Sequence, residues 1–334
     1  MLAALNDSAA ETPHLFGKKL VRRLILPVVF AVVVYAALLF YGDAGAIFAG
    51  VDELPVSVVL WALLVSAASF GVRALRWHFY LGTMKIKVPL SDSIILFLAG
   101  LGMSITPGKA GELLKSLLLK ERHDVPVARS GPIVVAERLT DLGALLLLVT
   151  TSALWPKSPL LVVIFAVLFL GALFAFGRSE TLGKLAISAV CILPFVRRHR
   201  EKLTTAHASL RELWSVVSFV IAIVLSIVAW SLQALTVTLF AAALHQPGLS
   251  LPEALIAFSA PLLAGTLALL PGGLGLTEAT MAGTLRALAD MSSTAAATIT
   301  ILTRLVTFWL AIVLGLGALG AWRLTRRGAV VVGA

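Results

Sequence analysis

The stretch Leu-Pro-Gly-Gly-Leu-Gly-Leu-Thr-Glu, residues Leu270–Glu278, interrupts an apolar region of about 254–289. Pro271, Gly272, Gly273 and Gly275 place four helix-punctuating residues within five positions, and each half that remains is too short to span a bilayer core, which takes about 20 apolar residues as helix. A second apolar region, about 92–120, is broken in the same way by Thr-Pro-Gly-Lys-Ala-Gly-Glu, Thr106–Glu112. Each glutamate is followed 26 residues later by an arginine inside the next apolar segment: Glu112 by Arg138, Glu278 by Arg304. Glycine break, glutamate and arginine therefore recur as a unit.

Around these two breaks lie six stretches long enough to cross a membrane: about 24–41, 56–79, 129–153, 159–177, 214–244 and 295–322. Three of them separate the two broken regions, so the second copy enters from the opposite face. The expected fold is an all-α polytopic membrane protein, an inverted repeat with six spanning helices and two re-entrant broken-helix hairpins. A polar tail (1–17) precedes a transmembrane domain over 18–323, with repeat 1 at about 20–153 and repeat 2 at about 159–323, and residues 324–334 form a second tail. No clear small-residue cleavage site follows the first apolar stretch, which reads as a retained helix. The region 181–196 is apolar but carries Lys184 and Pro194 and is expected in the cytoplasmic interface.

Composition agrees. Of the 334 residues 59% are hydrophobic and 13% charged, against roughly 25% charged in soluble domains, and mean hydropathy is +1.00. Too few polar groups remain to cover a water-facing surface. The net charge of +10 gathers at Lys18-Lys19, Arg22-Arg23, Arg197-Arg198-His199-Arg200, Arg323 and Arg326-Arg327. Each cluster abuts an apolar segment, the pattern of cytoplasmic flanks facing anionic headgroups rather than of a nucleic-acid surface. The loop 42–55 carries Asp43, Asp52 and Glu53 without a lysine or arginine, and reads as external. With Lys157 as the exception on the outer side, both termini are expected to be cytoplasmic, in the inner membrane of a bacterium.

A break at Pro107-Gly108 or Pro271-Gly272-Gly273 frees backbone polar groups that lipid tails cannot satisfy, so it must lie within protein or line a wet cavity. Half-helices starting near Gly111 and Leu276 would aim amide donors and a partial positive charge into that cavity, and Lys109 adds a full charge. An anionic headgroup is the natural guest. Glu137, Arg138 and Asp141 sit within the third stretch, and Arg304 within the last; each charge at a helix centre costs about 2.5–3.5 kcal/mol on insertion scales and so needs a partner or water. Two readings stand side by side. Glu112–Arg138 and Glu278–Arg304 are buried ion pairs that hold each hairpin against its helix, or the arginines face the cavity and grip a lipid phosphate bidentately. Arg73, Arg76 and Trp77 close the second stretch in the manner of an interfacial anchor, with a headgroup-admitting position as the other reading. Gln233 is expected to make an interhelical hydrogen bond.

Enzyme readings find little support. The six histidines (His14, His78, His123, His199, His207, His245) form no i,i+4 ligand pair, and the aspartates are isolated. Cys191 is the only cysteine, which removes disulfide frameworks and cysteine metal sites. Neither a nucleotide-binding P-loop nor an Asp-rich magnesium motif occurs. No catalytic residue, metal or cofactor is expected.

Gly102–Glu112, Ala-Glu-Arg-Leu-Thr-Asp-Leu at Ala136–Leu142, and Pro271–Glu278 together resemble the lysylphosphatidylglycerol synthase transmembrane-region, or flippase-like, family over about residues 20–323. The matching motif residues are Pro107, Gly108, Gly111, Glu112, Glu137, Arg138, Asp141, Pro271, Gly272, Gly273, Gly275 and Glu278. The resemblance implies lipid handling. In two-domain members this region flips aminoacylated phosphatidylglycerol that a separate cytosolic domain makes; only about a dozen residues follow the last apolar stretch here, so synthase activity is not carried over. Stand-alone members are linked to hopanoid, glycolipid or polyprenyl-phosphate pathways. The expectation is a carrier that moves such an amphiphile between leaflets, downhill or coupled to protons through Glu112, Glu137, Asp141 or Glu278. Its partners would be a membrane lipid with an anionic headgroup, a second copy of the chain, or an enzyme of lipid biosynthesis. The rival expectation is a non-transporting scaffold or accessory subunit of such a pathway.

Overall fold

The computed structural model describes residues 18–106, 111–154, 158–192, 197, 200–246 and 248–331. Among them the chain is helical, with no strand. Four helical stretches are long and apolar enough to cross a membrane: Val56–Thr83, Pro159–Arg178, Val216–Ala243 and Ser293–Trp322. A bent pair, Pro27–Gly42 and Ala44–Asp52, makes a fifth when counted as one span. The expected third span is one unbroken helix, Val127–Leu154, of 28 residues, about 42 Å long. Glu137, Arg138 and Asp141 set it apart from the purely apolar helices.

We number the helices α1 (Lys18–Gly42), α2 (Ala44–Asp52), α3 (Val56–Thr83), α4 (Leu90–Leu101), α5 (Leu114–His123), α6 (Val127–Leu154), α7 (Pro159–Arg178), α8 (Glu180–Val190), α9 (Arg200–Leu213), α10 (Val216–Ala243), α11 (Leu251–Leu267), α12 (Leu276–Ala289), α13 (Ser293–Arg304) and α14 (Leu310–Val331). A π-helical turn, Leu305–Trp309, joins the last two.

One expectation is corrected at the start of the chain. Residues 42–55, read as an acidic external loop, contain α2, set at 91° to α1. Asp43 makes the corner with φ 63°, and its carboxylate accepts the Ala46 N–H at 3.3 Å. The acidic residues of this segment hid a short apolar helix, Ala-Gly-Ala-Ile-Phe-Ala-Gly-Val.

The centre of the molecule is the packing of α3 on α10. Small buried residues line it (Ala62, Ser66 and Ser69 on α3; Ala222, Ser226 and Ala229 on α10). Such residues let helix backbones approach closely where no hydrophobic drive separates helix from lipid. Ser69 Oγ donates to the Ala229 carbonyl at 2.8 Å across the contact. Each of the two apolar regions broken by glycine and proline forms two short helices packed on one another, α4 with α5 and α11 with α12. The packing then crosses over: α4 lies against α14, and α11 against α6. At the first crossing the backbones touch, since a Cβ on Gly315 would stand 2.0 Å from the Gly102 nitrogen. Outward faces are apolar, with Phe40, Val32, Leu160 and Leu168 largely uncovered. The chain is an integral membrane protein.

Candidate functional site

The second break is built around Glu278. Pro271–Gly273 form a single 3₁₀ turn in which Gly272 takes φ 61° and Gly273 φ 70°. A side chain at 272 is excluded twice, by the left-handed backbone and because its Cβ would meet Phe308 Cζ at 2.3 Å. Gly275, φ 82°, precedes the first residue of α12, and its N–H donates to Glu278 Oε2 at 2.7 Å. This is the glutamate half of a capping box, an N3 carboxylate reaching back to the N-cap amide. Glu278 Oε1 accepts from Arg304 Nε at 2.6 Å. Arg304 Nη2 donates to the Gly272 carbonyl at 3.0 Å. One arginine thus holds both the carboxylate and the freed backbone of the break, and its guanidinium lies 4.3 Å over the Phe308 ring.

The first break repeats this partly. Of its residues, Pro107, Gly108 and Lys109 lie outside the described residues. Gly111 is packed so that a Cβ would meet Met103 Cβ at 2.5 Å, and its N–H donates to Thr106 Oγ1 at 2.7 Å. Arg138 Nη2 donates to Glu112 Oε2, and Asp141 Oδ2 lies 3.8 Å from the same nitrogen. Both glutamate–arginine pairs read from the 26-residue spacing are therefore formed. The N–H groups of Gly111 and Gly275 are satisfied within the breaks, by Thr106 Oγ1 and Glu278 Oε2.

Three cations that were not assigned to the site join it. Arg76 Nη1 donates to Asp141 Oδ1 at 2.6 Å and to Ser226 Oγ, with Glu137 Oε1 3.9 Å from its other terminal nitrogen. Lys115 Nζ donates to Glu137 Oε2 and sits 4.4 Å over the Trp77 ring. Arg73 stacks on Trp230 at 4.8 Å, while Trp230 Nε1 donates to Asp141 Oδ1 at 3.1 Å. Arg73, Arg76 and Trp77 are 5%, 1% and 0% exposed, which overturns their reading as an interfacial anchor. α3 runs seven residues past Arg76, to Thr83, so these side chains lie on its packed face rather than at its end. Gln233 makes no interhelical hydrogen bond among the described residues; its side chain lines a cavity instead.

That cavity is where the two breaks meet. It has a volume of about 50 Å³ and is lined by Arg73, Ser104, Glu112, Gln233, Gly272 and Arg304 among others. This is room for a few water molecules. A second, larger cavity of about 280 Å³ has a mainly apolar lining that includes Leu142, Leu262, Thr266, Leu270 and Gly273, with Arg138 as the one charged residue among the described residues that line it. Leu262 and Gly272 belong to both walls. A polar chamber and an apolar one thus share a partition. The described residues bring together Gly111, Glu112, Glu137, Arg138 and Asp141 from one half and Pro271, Gly272, Gly273, Gly275, Glu278 and Arg304 from the other. Among the described residues no group of three or more His, Cys, Asp or Glu side chains is placed to hold a metal.

A membrane protein of Methanothermobacter thermautotrophicus, described as a UPF0104 membrane protein, is 25% identical over 276 residues, covering 77% of this chain and 81% of the relative. Residues 26–315, which contain both breaks and both glutamate–arginine pairs, match the model of the lysylphosphatidylglycerol synthase TM region. The chain belongs to the lysylphosphatidylglycerol synthase TM region family.

Proposed function

We propose that the chain carries an amphiphilic lipid between the leaflets of a cytoplasmic membrane, its headgroup passing through the chamber between the two breaks while its tails stay in the apolar cavity and the surrounding lipid. The observation that carries this reading is the shared partition. A chamber lined by Arg73, Glu112 and Arg304 adjoins an apolar cavity that carries Arg138, which is the division of polarity an amphiphile has. Broken helices whose breaks meet within the protein are the usual substrate sites of secondary transporters.

In this reading the molecule is an inverted repeat. The crossed packing of α4 on α14 and α11 on α6 supports a two-fold relation between halves, with α6 matching α13–α14 and α3 matching α10. α1 with α2, α3, α6, α7, α10 and α13 with α14 then make six spans, both termini face the cytoplasm, and α4–α5 and α11–α12 dip in from opposite sides. Rocking of one half against the other would present the chamber to each leaflet in turn. The lipid is of the phospholipid, hopanoid, glycolipid or polyprenyl-phosphate kind, and the protein performs no chemistry on it.

Reconstitution into liposomes with labelled lipids and a leaflet-specific quench tests the proposal. Wild-type protein should accelerate exchange of at least one such lipid, and Arg304→Ala, folded to the same extent, should not. Exchange no faster than in empty liposomes across all four lipid types would leave a scaffold role in its place.

A further inference from the structure

Among the described residues, the charges around the first break do not balance. The cations are the buried Arg73, Arg76 and Lys115 and the partly buried Arg138, and the carboxylates are Glu112, Glu137 and Asp141. Each carboxylate is engaged by a different cation: Asp141 by Arg76 at 2.6 Å, Glu137 by Lys115, and Glu112 by Arg138. Arg73 is left over. No carboxylate among the described residues comes within 4.0 Å of it, its Nε has no hydrogen-bond partner, and only 5% of it is exposed. The faces of Trp230 and Phe97, at 4.8 and 5.8 Å, are its neighbours. Stacking on aromatic rings offsets part of the cost of a desolvated guanidinium but leaves its charge in place. Arg304, which also lines the chamber, is already neutralised by Glu278.

We propose that Arg73 binds the phosphate of the transported headgroup, so that the chamber prefers an anionic headgroup to a zwitterionic one. This rests on the chamber being the lipid's path. A phosphodiester charge would neutralise the cation left over among the described residues, and a guanidinium meets two phosphate oxygens with parallel N–H donors. Gln233 and Ser104, which line the same chamber, supply uncharged donors for the remaining oxygens. Trp230 is pinned by its indole N–H to Asp141, so the ring under Arg73 is fixed by the same network that neutralises the other cations.

The test is equilibrium binding to the purified full-length protein in non-ionic detergent, with phosphatidylglycerol, phosphatidylcholine and inorganic phosphate as probes. Wild type should bind phosphatidylglycerol in preference to phosphatidylcholine. Arg73→Gln should lose affinity for phosphatidylglycerol on the order of tenfold or more, as expected on removing a charge-assisted hydrogen bond. Arg73→Lys, which keeps the charge and a similar volume, should lose less and guards against a folding defect in the first variant. Competition by inorganic phosphate would show that the phosphate alone is read; absence of competition would show that it must arrive on a lipid. Equal affinities for the two lipids in wild type, or equal phosphatidylglycerol affinity in wild type and Arg73→Lys and Arg73→Gln, would overturn the assignment. Phosphatidylglycerol binding that depends on Arg73 without any leaflet exchange would refute transport while leaving this site standing. Exchange unaffected by Arg73→Gln would do the reverse.

Discussion

Arg304 and Glu278 are joined head to side: the carboxylate takes Arg304 Nε on Oε1 at 2.6 Å and gives Oε2 to the Gly275 amide at 2.7 Å. The glutamate is therefore both a counter-ion and a helix cap. Glu278→Ala should lower stability by about 3–5 kcal/mol, because it leaves a buried arginine uncompensated. The exchange of the two residues, Glu278→Arg with Arg304→Glu, should fail to restore it, since an arginine cannot accept the Gly275 N–H. Thermal melting in detergent checks both. Recovery of the wild-type melting temperature by the exchanged pair would reduce the contact to simple charge pairing.

Gly272 and Phe308 are matched in shape. Gly272→Ala places a methyl group 2.3 Å from Phe308 Cζ on a residue with φ 61°, and the left-handed backbone alone costs about 1–2 kcal/mol. Adding Phe308→Ala to Gly272→Ala should relieve the steric part and leave the backbone part. A double-mutant cycle should then give a favourable coupling of about 0.5–3 kcal/mol. Strictly additive losses would mean that the ring moves aside freely and does not hold the break.

The pairing of Glu278 with Arg304, and of Glu112 with Arg138, was legible before any coordinates, because two charges that recur at one spacing beside the same glycine break have few other partners. The bend at Asp43 was not, since the acidic residues at 43, 52 and 53 look the same in a loop and at helix ends. Arg73 and Arg76 were misplaced for a related reason: a basic pair near the end of an apolar run fits a membrane flank as well as a core. The signal that separates the two lies on α3 itself. Ser66, Ser69, Arg73, Arg76 and Tyr80 are spaced three or four apart, with Trp77 four past Arg73, a stripe along one helix face, and all are buried. Lys115 was equally readable, standing three residues after Glu112 on α5. The packing of α10 onto that stripe of α3 is what no single helix announces.

Glu180 ties α8 to α9 from outside the spanning helices. Its carboxylate meets Lys184 Nζ at 2.6 Å and Arg211 Nη1 at 2.9 Å. The hydrogen bond from Lys184, then its charge, then Arg211 hold its carboxyl below the usual glutamate range. A depressed value in the folded state means that the contribution is present above the unfolded value, about 4.3, and is lost as pH falls through the folded one. Spin labels at Leu185 and Thr204, both exposed, should report one narrow distance at neutral pH and a broadened one as the medium is acidified below that value. Glu180→Gln should broaden it at neutral pH. A distance that ignores both changes would assign the α8–α9 contact to its apolar side chains.

Arg76 and Asp141 raise the question of what a buried network is for. Arg76→Met alone strands Asp141 and should cost about 3–5 kcal/mol, whereas Arg76→Met with Asp141→Leu removes both charges and should recover most of that loss, because the desolvation of a buried pair roughly cancels its attraction. Stability therefore gives little reason to keep the pair. Geometry gives one, for Asp141 also holds the Trp230 indole at 3.1 Å, and Trp230 is the ring against Arg73. Without Asp141 the indole loses the acceptor that sets its orientation, and the surface under Arg73 is less firmly held. The double variant should melt close to wild type yet exchange lipid at least tenfold more slowly, a factor worth about 1.4 kcal/mol, in the same leaflet-quench measurement. Full exchange in a stable double variant would show that the Arg76–Asp141 network merely fills the protein's interior, and that Trp230 keeps its place through packing alone.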